Sequence, residues 1–540
     1  MNDDDPSLWY TSSDIPVHPI YQFTQNMDQT SPIAIRLPQK IAYFILGTLL
    51  FAAAYSQSPL FTSNQNQYFL HGLAQAGFGT LREDWLANTL DPTPVFSLLV
   101  NLTYRYTHLQ SIFYLYYALL MGIYLFTMFG IADYLFDLRS SRTKTLLFLA
   151  LFITIHSAGL RFAIGRALGT NWTYILEDGV ADQRLLGPVL QPSSFGVLSI
   201  LSIYLFLKSR LYLATIAVVL ASIVHPTYLL SAAVLVLAYM LIRFRDSRQL
   251  KQSIMIGVIA LILVTPVAIY VFTSFGNPTA DITDKARQIL VDYRIPDHAI
   301  VSQWLDATAL VKLGLVIIGI YLVRKTRIFI VLLLAATTSI LLTLLQVITN
   351  SNTLALLFPW RLSVFIVPIA VTIILAYLVT HLLDLPPLQI PKSKRWVQIA
   401  SFVIIICSVV VGVTRFKLDL ERKMDEPERA IENYIYTQHI PGEVYLTPIK
   451  LQDFRLNSGA PAFVDFKSIP YKDADVLEWY RRVRLVERFY KNLDCSLLAR
   501  MVEEDHVTHA IIEADRPDLE CPSSFQIYHD KDFVLYRLAS

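Results

Sequence analysis

The stretch IFYLYYALLMGIYLF, Ile112–Phe126, contains no charged residue and lies inside an apolar run that covers residues 112–136. An apolar run of about 20 residues is long enough to cross a lipid bilayer as an α-helix. Similar runs recur from Ile41 to Val413, and 54% of all residues are hydrophobic whereas 16% are charged. Soluble globular chains carry about 25% charged residues, so the sequence predicts an integral membrane protein.

Outward from this stretch, the apolar runs bounded by charged residues predict about eleven membrane spans. The runs cover residues 38–56, 112–136, 145–160, 193–207, 211–225, 227–242, 253–273, 308–323, 328–348, 361–383 and 396–414. Several of them are shorter than the usual ~20 residues. The fourth to sixth runs therefore have an alternative interpretation, as two spans and a re-entrant element.

Lysine and arginine residues are distributed unevenly between the loops. If the N-terminus is cytoplasmic, every loop on its side is basic, through Arg139, Arg142, Lys144, Lys208, Arg210, Arg243, Arg245, Arg248, Lys251, Arg324, Lys325, Arg327, Lys392, Lys394 and Arg395. The other loops are mixed in charge and include three large ones at residues 57–94, 161–192 and 274–307. Cytoplasmic loops accumulate positive charge, so the pattern predicts a multi-pass protein of the bacterial inner membrane with the large loops outside. An odd number of spans also exports the C-terminal segment.

The composition changes after the last apolar run, and this change predicts three parts. They are a cytoplasmic N-terminal segment at residues 1–37, a multispan domain at 38–416 and an exported domain at 417–540. In the last part, the pieces GEVYLTP, PAFVDF, HVTHAIIEA and FQIYHDKDFVLYRL have strand-like patterns, and DADVLEWYRRVRLVERFYKNL has a helical one. The predicted fold is therefore an all-α polytopic membrane domain followed by a small C-terminal α/β domain.

Several classes of function find no support in the sequence. The formal net charge is +2 and there is no long Lys/Arg block, so nucleic acid is not an expected partner. Motifs of the types GxxxxGK[ST], HExxH, CxxC and GxSxG are absent. The spans contain few ionisable residues, which argues against a proton pump or ion channel. Two histidines, His156 and His225, are interpreted as structural residues of helices.

Cys495 and Cys521 both lie in the C-terminal segment. An oxidising exterior permits a disulfide between them, but the sequence alone leaves their pairing open.

The polar residues concentrate in the outer loops. The stretch GTLREDWLANTLDPTP, residues 79–94, contains the acidic pair Glu83 and Asp84, and the next loop contains further acids and arginines within RFAIGRALGTNWTYILEDGVADQR. Such an acidic pair has two interpretations. It is either a solvated helix cap or a catalytic carboxylate with its neighbour.

With an inside N-terminus, an acidic pair in the first outer loop and an exported tail, the chain resembles the polytopic glycosyltransferases of the GT-C fold. That class includes protein O-mannosyltransferases and aminoarabinose transferases. The string FRLNSGAPAFVDFKSIPYKDADVLEWYRR, residues 454–482, is also similar to tails of uncharacterised bacterial multispan proteins. The resemblance covers nearly the whole chain in its topology, although the order Glu before Asp departs from the best-known members.

The resemblance implies an inverting transfer of a sugar from a polyprenyl-phosphate donor to an envelope acceptor at the outer face. Nucleotide sugars are confined to the cytoplasm, so a lipid-linked donor meets the need of an outer-face enzyme. Asp84 or Glu83 would be the general base, and Arg361 would bind the donor phosphate in a bidentate manner. The further substrate-binding candidates are Asp182, Arg184, Arg166, Trp85 and Lys467.

Each of these candidates also has a structural interpretation. Arg361 and Trp85 are equally typical of interfacial anchors, and Lys467 is equally typical of a surface residue. No metal-binding motif is present, and a divalent metal is compatible with the chemistry without being indicated. The alternatives to a transferase are a transporter or flippase for a lipid-linked or polar substrate, and a non-catalytic membrane assembly protein. The sequence indicates neither the sugar, nor the acceptor, nor the oligomeric state.

Overall fold

The structure is a computed structural model that describes residues 37–275 and 279–539. Its internal contacts divide the chain into two units, Met1–Leu46 and Gly47–Ser540. Of the first unit, the described residues are those at the start of helix α1. The predicted cytoplasmic segment at 1–37 therefore lies outside the described residues, apart from Leu37.

The second unit is helical along most of its length. Its helices, with α1 beginning in the first unit, are α1 (Leu37–Tyr55), α2 (Leu70–Ala76), α3 (Pro94–Thr107), α4 (Ile112–Phe136), α5 (Arg142–Ile155), α6 (Ala158–Leu168), α7 (Val197–Leu207), α8 (Leu211–Val224), α9 (Leu229–Ser247), α10 (Leu250–Ser274), α11 (Ala280–Gln288), α12 (Ala307–Leu322), α13 (Ile328–Thr349), α14 (Ser363–Leu383), α15 (Pro391–Met424), α16 (Arg429–Gln438), α17 (Asp473–Asn492) and α18 (Cys495–Asp505). Shorter helical turns connect them.

Each of the predicted apolar runs corresponds to a helix. Within the described residues, seven helices are long and apolar enough to cross a membrane. The third predicted run, residues 145–160, covers most of α5 and the first three residues of α6, whose remainder lies in the predicted outer loop at 161–192. The pair α5 and α6 is bent by 52° and counts as an eighth span if it crosses as one. The three remaining runs are the shorter apolar helices Pro192–Leu207, Leu211–Val224 and Ala307–Leu322. The prediction of an all-α polytopic membrane domain is confirmed.

The membrane helices pack through small residues at their contacts. A Cβ at Gly122 of α4 would lie 2.0 Å from Thr48 Oγ1 of α1, and a Cβ at Gly412 of α15 would lie 2.0 Å from the Ala53 carbonyl oxygen. Small residues allow helix backbones to approach closely in a membrane, where van der Waals packing drives association. The aromatic stretch of α4 joins this core, because Tyr117 is fully buried and Tyr124 bonds His156 at 3.0 Å.

The C-terminal segment forms the predicted small α/β structure. Its strands are β1 (Tyr445–Leu446), β2 (His509–Glu513), β3 (Ser524–His529) and β4 (Phe533–Leu538). They form one sheet in the order β1-β2-β4-β3, with β1 and β2 parallel and the other pairs antiparallel. Helices α17 and α18 cover one face of the sheet, and α16 covers the other.

Two details of this segment differ from the sequence pattern. The piece PAFVDF makes a single bridge, between Ala462 and Tyr445, and does not form a strand. Its residues instead turn toward the first outer loop, where the Ala462 N–H binds Asp84. Helix α15 also continues through residue 417 to Met424, so the predicted division at 416/417 falls within one helix and stays a prediction.

Candidate functional site

The large loops and the C-terminal segment meet around one cavity of about 580 Å³. Lining residues come from residues 63–93, from 182–193, from 290–298, from the turn at 356–361 and from 467–471. The His225 turn between α8 and α9 and the end of α10 complete the wall. Segments that are far apart in sequence therefore line one shared space, which we call the main cavity.

The main cavity is lined by more positive than negative side chains. Its cations are Arg184, Arg294, Arg361 and Lys467, whereas Asp182 is the one carboxylate among the described lining residues. Low-dielectric walls lined by one sign of charge focus the electrostatic field and attract ligands of opposite charge. The cavity therefore favours an anionic ligand.

Three of these cations form no ion pair with a carboxylate in the described part of the chain. The Arg361 guanidinium lies over the rings of Tyr228 and Phe358, at 5.7 and 5.9 Å from their centroids. No described residue forms a hydrogen bond with its buried Nε. Arg294 donates to the Lys467 carbonyl oxygen at 2.6 Å. A guanidinium without a carboxylate partner keeps its donors available to phosphate oxygens.

Lys467 is a half-buried ammonium at the edge contributed by the C-terminal segment. Burial, together with the neighbouring positive charge of Arg294, lowers the pKa of Lys467 to about 8. The charge of this group therefore changes close to physiological pH.

Asp182 projects into the main cavity from a tight turn. Ala181 and Asp182 both have left-handed backbones, with φ of +55° and +51°, and non-glycine residues held in such a region cost about 1–3 kcal/mol each. The turn is closed by the Gly179 N–H, which donates to the Gln183 carbonyl at 2.8 Å. Strained backbones of this kind cluster at functional sites.

A histidine lies beside this turn. His298 Nδ1 donates to the Ala181 carbonyl oxygen at 2.8 Å, and burial lowers the pKa of His298 below its ordinary value. The neutral ring that results has its second nitrogen available as a hydrogen-bond acceptor. Asp182 and His298 are thus two proton acceptors at one side of the main cavity.

Buried ion pairs hold the second outer loop in place behind the cavity. Asp178 contacts Lys312 of α12 at 2.5 Å and the Arg184 Nε at 3.4 Å. Glu177 pairs with Arg161 of α6 at 3.2 Å. Breaking a buried pair by removing one partner leaves an uncompensated charge, so the neighbouring acids of this loop act as a framework that positions Arg184.

Four of the predicted site residues line the main cavity, namely Arg361, Asp182, Arg184 and Lys467. Asp84 does not. Asp84 is fully buried, and its Oδ1 accepts from the backbone N–H groups of Leu86 and Ala87 at 2.9 and 3.1 Å. Its Oδ2 accepts from Arg455 Nε at 2.6 Å and from the Ala462 N–H at 3.0 Å. In this structure Asp84 joins the first loop to the C-terminal segment, and its proposed role as general base stays untested.

The other predicted residues also lie elsewhere. Glu83 is exposed and accepts a hydrogen bond from the Gly442 N–H at 2.6 Å. Trp85 packs between the core of the membrane helices and the core of the C-terminal segment, with the Arg482 guanidinium 4.3 Å from its ring. Arg166 lines a second, smaller cavity. None of these three lines the main cavity among its described residues.

Sequence reasoning missed several residues of the main cavity. Arg294 and His298 belong to the third outer loop, which carried no recognisable motif, and His225 was interpreted as structural although it lines the cavity. Their only sequence signal was a position in a loop on the predicted outer side. Long-range placement, rather than local pattern, makes them part of the site.

A group of three carboxylates in the C-terminal segment has the spacing of a metal site. Glu426, Glu428 and Asp453 have ligand atoms within 4.8 Å of one another. Lys423 and Arg429 form ion pairs with Asp453, so positive side chains already balance much of this charge. The group shares no residue with the main cavity.

The chain has similarities to one family model and to solved structures. Residues 426–486 match a family model described as a domain of unknown function, DUF6798. No curated protein matches the chain. Among solved structures, the chain is similar to the crystal structure of ArnT from Cupriavidus metallidurans bound to undecaprenyl phosphate, with 14% identity, a TM-score of 0.45, and coverage of 93% of this chain and 98% of that one. The region that matches the family model includes Arg455, which binds Asp84, and Lys467 of the main cavity.

Proposed function

We propose that the protein is a membrane glycosyltransferase that takes a sugar from a polyprenyl-phosphate donor at the outer face of the membrane. One observation carries the proposal. Three cations that have no carboxylate partner among the described residues, and one carboxylate from a strained turn, line the same cavity at the ends of membrane helices. Such a set provides phosphate ligands and a proton acceptor side by side.

The donor phosphate would bind to Arg361, with Lys467 and Arg294 contributing further positive charge. The lipid chain needs an apolar path from the bilayer to this site. Helix α10 supports such a path. In its most apolar 18-residue stretch, 11% of the residues are buried. Val271 and Phe275, at the end of this helix, line the main cavity. The remaining surface of α10 is available to lipid.

In the proposed reaction, the acceptor hydroxyl gives its proton to Asp182 as its oxygen attacks the anomeric carbon. A new bond forms between acceptor oxygen and anomeric carbon, and the bond from that carbon to the phosphate oxygen breaks. The electrons of the broken bond stay with the lipid phosphate, whose charge Arg361 and its neighbours stabilise. A single displacement of this type inverts the anomeric centre.

The test measures release of polyprenyl phosphate from a panel of polyprenyl-phosphate sugars by the reconstituted protein, with cell-envelope extract as acceptor. Asp182→Asn should lower the rate by about 10²–10⁴-fold while donor binding is retained, which is typical of a lost general base. Arg361→Lys should weaken donor binding by about tenfold, because the ammonium cannot form the bidentate contact. The control is Asp292→Asn, an exposed carboxylate of the third loop.

The outcomes separate the rival functions. An unchanged rate in Asp182→Asn would assign the general base to the first loop if Glu83→Gln, or an Asp84→Asn protein that unfolds at the wild-type temperature, shows a large loss of rate. Donor binding that depends on Arg361 without turnover of any donor would contradict the transferase proposal and favour a transporter of lipid-linked substrates.

A further inference from the structure

A second cavity, of about 380 Å³, lies between α6, α15 and the segment that follows α1. Its lining contains three guanidinium groups, from Arg161, Arg166 and Arg415, and one carboxylate, from Asp419. Hydroxyl side chains complete the polar wall, among them Ser56, whose buried Oγ has no hydrogen-bond partner in the described part of the chain. We call this space the interfacial cavity.

The three arginines differ in how many of their hydrogen-bond donors already have partners. Arg161 is buried and donates to Glu177 and to backbone carbonyl oxygens. Arg415 binds Asp419 through its Nε at 2.7 Å, and no bond occupies its terminal nitrogens among the described residues. Arg166 is exposed and has no hydrogen bond or ion pair within the described ranges. The interfacial cavity therefore combines one free guanidinium with a second that has free donors.

The position of the interfacial cavity matches the boundary between lipid tails and headgroups. Arg415 directly follows the apolar run that ends at residue 414 of α15. Val410 and Val413, in the preceding turn, are 57% and 54% exposed, and Phe162, which lines the cavity, is 60% exposed. Apolar side chains next to cationic groups at the end of a span are typical of this boundary.

A shared wall separates the interfacial cavity from the main cavity. The Tyr174 ring has the Arg184 guanidinium 4.0 Å from its centroid and the Arg161 guanidinium 5.4 Å away. Arg184 lines the main cavity, whereas Arg161 and Tyr174 line the interfacial cavity. The two spaces are therefore adjacent but have separate cations.

We propose that the interfacial cavity binds the phosphate headgroup of an anionic phospholipid in the leaflet that borders the C-terminal segment. Arg166 and the terminal nitrogens of Arg415 would bind the phosphate oxygens, and the cavity hydroxyls would donate to the remaining ones. The acyl chains would lie along the exposed apolar surfaces of α6 and α15. This binding does not require sugar transfer, so it can be tested separately from the proposed function.

The test uses the full-length protein in detergent micelles, with bound lipid counted by native mass spectrometry. Phosphatidylglycerol, phosphatidylcholine and inorganic phosphate are added in separate titrations. We expect the wild-type protein to retain phosphatidylglycerol, and Arg166→Gln to weaken this binding by about tenfold, which is the usual scale for one charge-assisted contact. Arg166→Lys keeps the positive charge but loses the bidentate geometry of the guanidinium. It should therefore weaken lipid binding less than Arg166→Gln does.

Lys417→Gln is the matched control, because Lys417 is 76% exposed on the same helix two residues beyond Arg415 and does not line the cavity. An equal loss in Lys417→Gln would indicate general surface attraction and overturn the proposal. Binding of phosphatidylcholine equal to that of phosphatidylglycerol, or of inorganic phosphate with the same affinity, would also overturn it. All variants must elute and unfold like the wild type, and Arg166, being exposed, is expected to meet this condition.

Discussion

Asp84 shows how a single buried carboxylate can connect two parts of a chain. Its oxygens accept from Arg455 and from three backbone N–H groups, and Arg455 continues the contact to Asp465. All three charged side chains are at least 97% removed from solvent. This arrangement costs desolvation energy that is recovered only while every partner is present.

We therefore expect Asp84→Asn to destabilise the protein. The amide would direct N–H donors at groups that are themselves donors and would leave Arg455 with one carboxylate, which typically costs about 3–5 kcal/mol. The measurement is the midpoint of thermal unfolding in detergent, with the exposed Glu83→Gln as control and little change expected there. If Asp84→Asn unfolds at the wild-type temperature but loses sugar transfer, the catalytic interpretation of Asp84 holds instead.

Lys467 gives the main cavity a pH dependence. Its pKa of about 8 means that the ammonium is charged below pH 8 and becomes neutral as the pH rises through that value. Binding of a polyprenyl phosphodiester, whose own charge is constant over this range, should therefore weaken as the pH rises through about 8. In Lys467→Arg the guanidinium remains charged, so this weakening should disappear. Isothermal titration calorimetry of donor binding between pH 6.5 and 9.5 tests this prediction. An identical pH profile of donor affinity in both proteins would exclude Lys467 as a phosphate ligand.

At the scale of elements, the first loop and the C-terminal segment touch through their backbones. Gly79, with φ of +52°, lies against Gly459, and the Thr80 N–H donates to the Gly459 carbonyl oxygen at 2.8 Å. A Cβ at Gly79 would lie 2.1 Å from that oxygen. Because backbone atoms cannot move aside like a flexible side chain, only glycine fits this contact.

Gly79→Ala should therefore separate the loop from the C-terminal segment. We expect faster amide hydrogen exchange at Thr80 and Ala462, whose N–H groups bond across the contact. Gly314→Ala in α12 is the control, since, apart from its chain neighbours and the backbone of its own helix, no atom of the described residues lies within 4 Å of a Cβ built there. Exchange rates that are unchanged in Gly79→Ala would show that the contact does not hold the two elements together.

The elements were more predictable from sequence than the site. Apolar runs predicted every long membrane helix, because burial in lipid requires a continuous apolar surface whatever the neighbours are. Strands β3 and β4 lie in the piece FQIYHDKDFVLYRL, whose strand-like pattern predicted them. The structural role of Asp84 was not predicted, because its partners Arg455 and Ala462 are more than 370 positions away and no local pattern encodes them. The cations of the main cavity were found only in part for the same reason.

At the scale of the whole molecule, the two sets of loops segregate. The large loops and the C-terminal segment share the main cavity. The basic loops contact one another, since Arg327 pairs with Asp246 at 2.8 Å and Lys144 with Asp384 at 3.6 Å. This is the arrangement expected if successive helices cross a bilayer in alternation, with one set of loops on each side. It supports a multi-pass membrane protein, and the orientation in the membrane is a prediction.

The orientation can be tested by two independent measurements. Since the basic loops are expected in the cytoplasm, a reporter that is active only after export should be active when fused to the C-terminus and inactive when fused after Lys251.

The cysteines provide the second measurement, because Cys495 and Cys521 form a disulfide in the C-terminal segment and Cys407 is free. Disulfides persist in oxidising compartments and are rare in the cytoplasm. Protein taken from cells under acid quench and denatured should thus show one reactive thiol before reduction and three after it. Three thiols before reduction, together with an inactive C-terminal reporter, would place the C-terminal segment and the main cavity in the cytoplasm. A lipid-linked donor at the outer face could then not reach Arg361, and the proposed function would fail with the orientation.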